Sequence, residues 1–213
     1  MKKITIITSL IVIGVSLALQ AQFTQVELFS GFDKTDFTLL SSYPINKSQT
    51  LSLSTLAFFQ KFQKENRDFD EIGVQPTLFW NITKNIALGS SIYYNSFAGY
   101  SERLSAKFIL KDSRVLFMLM PTVGHSEQTS ASYAEVFVQI QYNKPLIDNL
   151  SLWLNGQLLT IWDEFKIHSR SFQQFRVGLS FYDHQLGVGF DFDQYGSKPV
   201  EKSSFGIYYR YIL

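Results

Sequence analysis

The chain has 213 residues, a formal net charge of +1 and no cysteine, which excludes disulfides and thiolate metal sites. A nearly neutral chain without a basic block argues against nucleic acid as a partner. Three separated histidines offer no metal-ligand spacing, and no glycine-rich phosphate loop occurs, so we predict neither a metal site nor a cofactor.

The chain begins with the pattern of a secretory signal peptide, predicted to span residues 1–21. Lys2 and Lys3 precede an apolar run at 4–19, and Ala21 ends the segment before Gln22. The alternative is an uncleaved anchor helix, for which the run is short. The Ala-Gln ending resembles leaders of the Bacteroidota. Cleavage after Ala21 would leave residues 22–213 as a single domain outside the cytoplasm.

Beyond the leader, apolar and polar residues alternate with period two, which predicts β-strands. In "QLGVGFDF", for example, Leu186, Val188 and Phe190 alternate with Gly187 and Gly189. Many of these segments have roughly the 9–11 residues that a tilted strand needs to cross hydrocarbon. The predicted strands are 23–31, 35–43, 49–61, 71–81, 86–97, 102–111, 114–123, 132–142, 150–161, 171–182, 185–193 and 204–213.

In this interpretation short turns alternate with longer polar connections such as "GHSEQTSAS" and "QYGSKPVEKS". Short periplasmic turns and long outside loops are typical of outer-membrane barrels. No other segment could be a membrane helix, since the most apolar, "VLFMLMPTV", is short and contains Pro121. We therefore predict an all-β, antiparallel, up-and-down transmembrane β-barrel of 12 strands, or of 10 if "GFDKTD" is a bulge.

A soluble periplasmic barrel or sandwich is the alternative fold, with the apolar faces turned inward. Its solvent face would then be rich in Gly, Ser, Gln and Tyr and poor in the Lys and Glu that keep soluble strands apart. This composition favours the membrane barrel.

The last strand, "SSFGIYYRYIL", resembles the terminal assembly signal of Gram-negative outer-membrane barrels. Its apolar positions are Phe205, Ile207, Tyr209, Tyr211 and Leu213. The final Leu213 departs from the usual Phe or Trp. The resemblance implies a location in the outer membrane and, as partners, barrel-assembly machinery, membrane lipid and lipopolysaccharide. A charged loop with Lys61, Lys64 and Arg67 could meet lipopolysaccharide phosphates. Trp80, Trp153 and Trp162 are expected in aromatic girdles.

If the apolar faces meet lipid, charged side chains of the other face must enter the lumen. The predicted lumenal or constriction residues are Glu27, Arg103, Lys107, Glu135, Arg176, Asp191 and Arg210, together with Lys111. A last hairpin centred on Asp183-His184 would place Arg176 directly across from Asp191. These charges either neutralise one another and fill the barrel, or form a constriction for small solutes.

Three functions follow from these features. The first is a passive or weakly selective pore for small solutes, and the second is an accessory barrel with a filled lumen that acts through loops or a partner. The third is a lipid-modifying hydrolase, because His125-Ser126 and His168-Ser169 lie near predicted outside loops. Adjacent strand residues face opposite sides, however, and the lipase-type His-x-Ser spacing is absent. We therefore predict no catalytic residue and no enzymatic activity.

Overall fold

Twelve antiparallel strands close into a barrel in the computed structural model, which describes residues 23–213. This confirms the predicted fold and the count of 12 strands. The predicted signal peptide, 1–21, lies outside the described residues. Each strand pairs with its neighbours in the chain, and the first pairs with the last, Glu27 lying opposite Arg210.

The strand bounds follow the predicted spans closely and extend several of them. The strands are β1 Phe23–Gly31, β2 Lys34–Pro44, β3 Leu51–Phe62, β4 Glu71–Asn81, β5 Ile86–Asn95, β6 Gly99–Lys111, β7 Val115–Ser126, β8 Ala131–Ile147, β9 Leu150–Asp163, β10 Ile167–Phe181, β11 His184–Tyr195 and β12 Val200–Ile212. A 3-10 helix, Lys64–Phe69, joins β3 to β4. No helix within residues 23–213 is long and apolar enough to span a membrane.

The barrel is apolar outside and polar inside. Large apolar side chains stand exposed on the outer wall, among them Leu78, Leu104, Val188, Phe190 and Ile207. The buried set is mainly polar and charged, and it includes Gln75, Thr77, Arg176, Asp191 and Arg210. Because a soluble barrel needs the opposite arrangement, the apolar wall fits hydrocarbon and removes the soluble alternative.

The connections at the two rims of the barrel are more alike in length than the sequence predicts. We call the lower rim the one that holds Phe23 and Leu213, and the upper rim the one that holds the 3-10 helix. The predicted long outside loops are mostly wrong, because β7, β8, β10, β11 and β12 continue through them. The predicted connection after β3 does remain outside strands, at 63–70, but of the other three only 127–130, 164–166 and 196–199 do. The polar residues near these three turns are the ends of strands that rise past the apolar band.

The aromatic residues near the rims divide between the two faces. Trp80, near the lower rim, and Trp162, near the upper rim, are exposed on the outer wall. Trp153 was expected beside them, but it is buried in the lumen, where its ring lies 6.1 Å from that of Tyr208. Trp153 lies two residues before Asn155 in β9, so the two side chains point to the same face of the sheet, which is the lumenal face.

A lower turn, 112–114, is organised by one carboxylate. Asp112 Oδ1 accepts hydrogen bonds from the backbone N–H groups of Arg114, at 2.6 Å, and Val115, at 2.8 Å. These bonds favour the charged form and lower the pKa of Asp112 below its usual value. These bonds therefore stabilise the turn of the β6–β7 hairpin, which lies outside the apolar band.

Candidate functional site: the barrel lumen

A continuous set of ion pairs, here called the ion-pair column, runs along the inner wall formed by β1, β2, β4 and β10–β12. At its upper end Glu71 pairs with Arg170, whose Nη2 lies 3.6 Å from Asp193 Oδ1. Lys34 Nζ continues the column, 2.7 Å from Asp193 and 3.1 Å from both Asp36 and Asp191. Lys34 is buried beneath the rim, so its three carboxylate contacts replace water.

The column continues toward the lower rim through two arginines. Arg176 pairs with Asp191 and also donates from Nε to Glu27 Oε1 at 2.9 Å. Arg210 donates from Nε to Glu27 Oε2 at 2.8 Å. Both guanidinium groups lie over aromatic rings, Arg176 at 4.4 Å from the Phe29 centroid and Arg210 at 4.1 Å from that of Trp153. Glu27 therefore holds two cations, one from β10 and one from β12, the strands on either side of β11.

The last hairpin differs from the predicted register by two residues. Its turn is Tyr182-Asp183, so Phe181 lies opposite His184 and Arg176 lies opposite Gly189. Arg176 still reaches Asp191, because Gly189 has no side chain and lets the guanidinium cross to the next lumenal position. The predicted direct opposition is wrong, yet the two charges meet diagonally.

A second, separate ion pair occupies the opposite side of the lumen. Arg103 pairs with Glu135 and donates from Nη1 to Gln75 Oε1 at 2.9 Å. Its guanidinium lies 4.8 Å from the ring centroid of Tyr93. Arg103 and Glu135 are both buried, so this pair narrows the lumen from the β4–β8 wall.

The lower half of the lumen contains a polar cavity of about 490 Å³, here called the vestibule. Its lining includes Ser42, Ser52, Asn81, Asn85 and Lys107. Lys107 Nζ lies 3.7 Å from the Phe79 ring centroid, and among residues 23–213 it forms no ion pair. The predicted lumenal residue Lys111 is exposed at the end of β6. The vestibule thus carries the inward cation Lys107 without a fixed counter-charge, and its lining also includes the exposed Lys84 of the lower turn 82–85.

The 3-10 helix lies across part of the upper mouth. Phe69 contacts Tyr195, with ring centroids 4.7 Å apart, and Phe62, at 5.9 Å. Gln60 Nε2 donates to the Phe69 carbonyl at 3.3 Å, and Lys202 Nζ donates to Asn66 Oδ1 at 2.6 Å. These contacts cover the upper end of the ion-pair column.

Part of the ion-pair column is not among the residues predicted from the sequence. The missing residues are Lys34, Asp36, Glu71, Arg170 and Asp193. Counting by two from Arg176 back to Arg170, or from Asp191 on to Asp193, would have found two of them. Lys34 and Arg170 lie just outside the predicted strands, in segments predicted as a turn and a loop. The alternation therefore does not predict which face of the sheet they occupy.

The predicted assembly residues occupy the outer face of β12. Phe205, Ile207 and Tyr209 are exposed on the wall, and Leu213 is exposed at the lower rim. Tyr211 lies opposite Val26 of β1 and His184 of β11. Because β12 closes the barrel against β1, this apolar face lies at the seam.

A closed antiparallel barrel with an apolar outer wall and a polar, ion-paired lumen defines a transmembrane β-barrel of the outer-membrane type. No family model and no curated protein matches the sequence.

Solved outer-membrane barrels share this architecture. The NanC porin is 8% identical, with a TM-score of 0.51, and the alignment covers 89% of this chain and 98% of that one. The KdgM porin in complex with disordered oligogalacturonate is 10% identical over the same shares, with a TM-score of 0.50. An outer-membrane channel from Pseudomonas putida F1 is 14% identical over 91% of this chain and 96% of that one, with a TM-score of 0.49. At these identities the likeness concerns the fold.

Proposed function

We propose that this protein is a weakly selective outer-membrane channel of low conductance for small polar solutes. The observation that carries the proposal is the vestibule of about 490 Å³, a polar cavity among the lower ends of the strands, with the paired charges of the lumen nearer the upper rim. In this proposal the lower rim faces the periplasm and the upper rim faces the cell exterior, where membrane lipid and lipopolysaccharide are the neighbours. Barrel-assembly machinery would recognise the outer face of β12.

The constriction combines the ion-pair column with the Arg103–Glu135 pair. Its fixed charges have both signs, because Lys34, Arg176 and Arg210 each contact a carboxylate. Mixed signs attract neither anions nor cations strongly, which supports weak selectivity. The column is closed in this conformation, since Asp191 is 0% and Arg176 is 2% exposed.

Single-channel conductance in a planar bilayer tests this function. The protein is purified from the membranes of a porin-deficient host and is shown to be folded by its heat-dependent migration in gels. We expect small, steady steps, because solute must pass between paired charges and not through an open lumen. Loss of Lys107 should shift the reversal potential in a salt gradient toward cation preference, since this lysine faces the vestibule from β6 and has no ion-pair partner in the described chain.

The matched variants are Lys107→Gln and Lys111→Gln, which remove one positive charge each from β6. Only the first should change the reversal potential, because Lys111 is exposed at the rim. Equal shifts in both variants would contradict a selective role for the vestibule.

An accessory barrel with a filled lumen is the second candidate, and it is favoured by the near-zero exposure of the column. It predicts no conductance from folded, inserted protein, either in the wild type or after Glu135→Gln. Silence from both would replace the channel proposal with this one.

A further inference from the structure

Three polar residues form a row on the outer wall just below the upper rim. Glu102 of β6 is the register partner of His125 of β7, and His125 is the register partner of Ser132 of β8. All three side chains are exposed. His125 Nδ1 lies 3.2 Å from Ser132 Oγ. The serine and the carboxylate therefore flank one imidazole across three adjacent strands.

The sequence analysis considered His125 only with Ser126, which faces the lumen and is buried. Ser132 lies across the β7–β8 hairpin and shares the outward face with His125. Register partners have Cβ atoms about 4.5–5.5 Å apart, so the Glu102 side chain lies on the next strand within reach of the imidazole. A serine, an imidazole and a carboxylate in this order are the groups of an activated nucleophile.

The row lies in a groove of about 620 Å³ on the outside of the barrel. Leu104 and Val123 are the next pair of register partners on the outward face, two residues farther from the upper rim. They form the apolar part of the groove's lining, and Phe165 from the 164–166 turn borders it. The groove therefore joins apolar side chains, which fit acyl chains, to polar groups at the level of the interface. The ester groups of a bilayer lie at this depth, beside aromatic residues such as Trp162.

We propose that Ser132 is a nucleophile that cleaves acyl esters of lipids in the outer leaflet, with His125 as its base and Glu102 as the positioning residue. The Ser132 hydroxyl proton passes to His125 Nδ1 as Oγ bonds to the ester carbonyl carbon. The carbon–oxygen bond to the alcohol then breaks, and the alcohol leaves with that proton. Water, deprotonated by His125, hydrolyses the acyl-serine and releases the fatty acid.

The same barrel contains a second serine–histidine contact that serves as a control. His168 Nε2 lies 2.9 Å from Ser171 Oγ, and His168 Nδ1 lies 2.8 Å from the Gly196 carbonyl. Ser171 is buried, and its hydroxyl also contacts Thr160 at 3.0 Å. It lines neither the vestibule nor the outer groove, so we expect it to be unreactive.

Covalent labelling with a fluorophosphonate probe tests the nucleophile in the purified full chain. We expect labelling of the wild type and of Ser171→Ala, and none of Ser132→Ala. His125→Asn should slow labelling by about 10²–10⁴-fold, as expected for loss of a general base. Each variant must keep the heat-dependent gel migration of the wild type. An unlabelled folded wild type, or equal labelling of Ser132→Ala, would overturn the proposal.

The source of the ester is separated by two substrates, phosphatidylglycerol vesicles and purified lipopolysaccharide, with fatty-acid release as the readout. Fatty-acid release from one of these lipids identifies it as the substrate. Labelling of Ser132 with no release from either lipid would refute the lipid assignment. Glu102→Gln should slow fluorophosphonate labelling of Ser132, and Glu102→Asp should restore part of the rate, because a carboxylate is what orients the imidazole. Equal labelling rates in Glu102→Gln and the wild type would remove Glu102 from the site. These outcomes are independent of conductance.

Discussion

Glu27 is the residue on which the lower part of the ion-pair column depends. It receives one guanidinium from β10 and one from β12, with Arg176 Nε at 2.9 Å and Arg210 Nε at 2.8 Å. Both arginines are only 2% exposed. Because water cannot solvate them there, their charges rely on the carboxylate.

Neutralising Glu27 should therefore destabilise the barrel strongly. In Glu27→Gln two buried guanidinium groups lose their shared anion, and we expect a loss of about 3–5 kcal/mol in the free energy of unfolding. Urea unfolding in lipid vesicles, followed by tryptophan fluorescence, measures it. Glu127→Gln, in the exposed upper turn 127–130, removes the same charge and should change the stability little. Equal effects of the two variants would show that Glu27 is not needed to balance the arginines.

The alternation of side chains along each strand is enough to assign many of them to the lumen. It does not predict which of them are in contact. Glu27, Arg103, Arg176, Asp191 and Arg210 all face inward, as period two requires. The partner of Arg103, in contrast, is Glu135, which lies 32 positions away on β8 and reaches it across β7. Such a contact depends on strand length and stagger, which alternation does not encode.

Among the elements, β12 has the most demanding position, because it must close the barrel between β11 and β1. Gly206 lies opposite Gly31 on one side and Gly189 on the other. A Cβ added at Gly206 would overlap the Ser30 carbonyl oxygen and the Gly31 Cα. The seam is therefore closed by direct backbone approach, for which glycine is suited.

Gly206→Ala should weaken the seam, because the obstructing atoms belong to the backbone and cannot rotate away. Overpacking of this kind costs about 1–3 kcal/mol, and we expect a smaller folded fraction after refolding into vesicles, measured by heat-dependent gel migration. Gly156→Ala is the matched control, since an added Cβ there meets only Phe175 carbons at 3.7 Å. Normal refolding of Gly206→Ala would refute the close-packed seam.

The bounds of the elements show where period-two alternation stops being informative. At mid-strand one face meets lipid and the other meets the lumen, so the pattern is strong, as in Leu186–Phe192. Near the upper rim both faces become polar, and β10 and β12 begin before the alternation is visible. The sequence therefore predicts loops in places where these strands still continue.

At the scale of the whole molecule, the apolar band is the property that fits the protein to a membrane. Val188 lies near the middle of β11, and Val200 begins β12 at the upper rim; both are about half exposed on the outer wall. A charge at these two depths meets different surroundings, hydrocarbon at one and the interface at the other.

Val188→Arg should destabilise the folded barrel in lipid by about 2–4 kcal/mol, whereas Val200→Arg should cost about 0–1 kcal/mol. The reason is that a guanidinium at mid-depth must be taken out of water, while one near the rim reaches the head groups. Denaturant titrations of the two variants in the same vesicles give the comparison. Similar costs at both positions would contradict the assignment of this wall to lipid.

The sequence by itself determined the class of fold, the number of strands and the face of most side chains, because these depend on local alternation and on the spacing of turns. Only the tertiary structure decided which lumenal charges pair, that the last hairpin turns at Tyr182-Asp183, and that His125 meets Ser132 across a hairpin and not its neighbour Ser126. The physical reason is that alternation fixes a side chain's direction within its own strand. The registers of several strands, set by the closure of the whole barrel, fix which side chains meet.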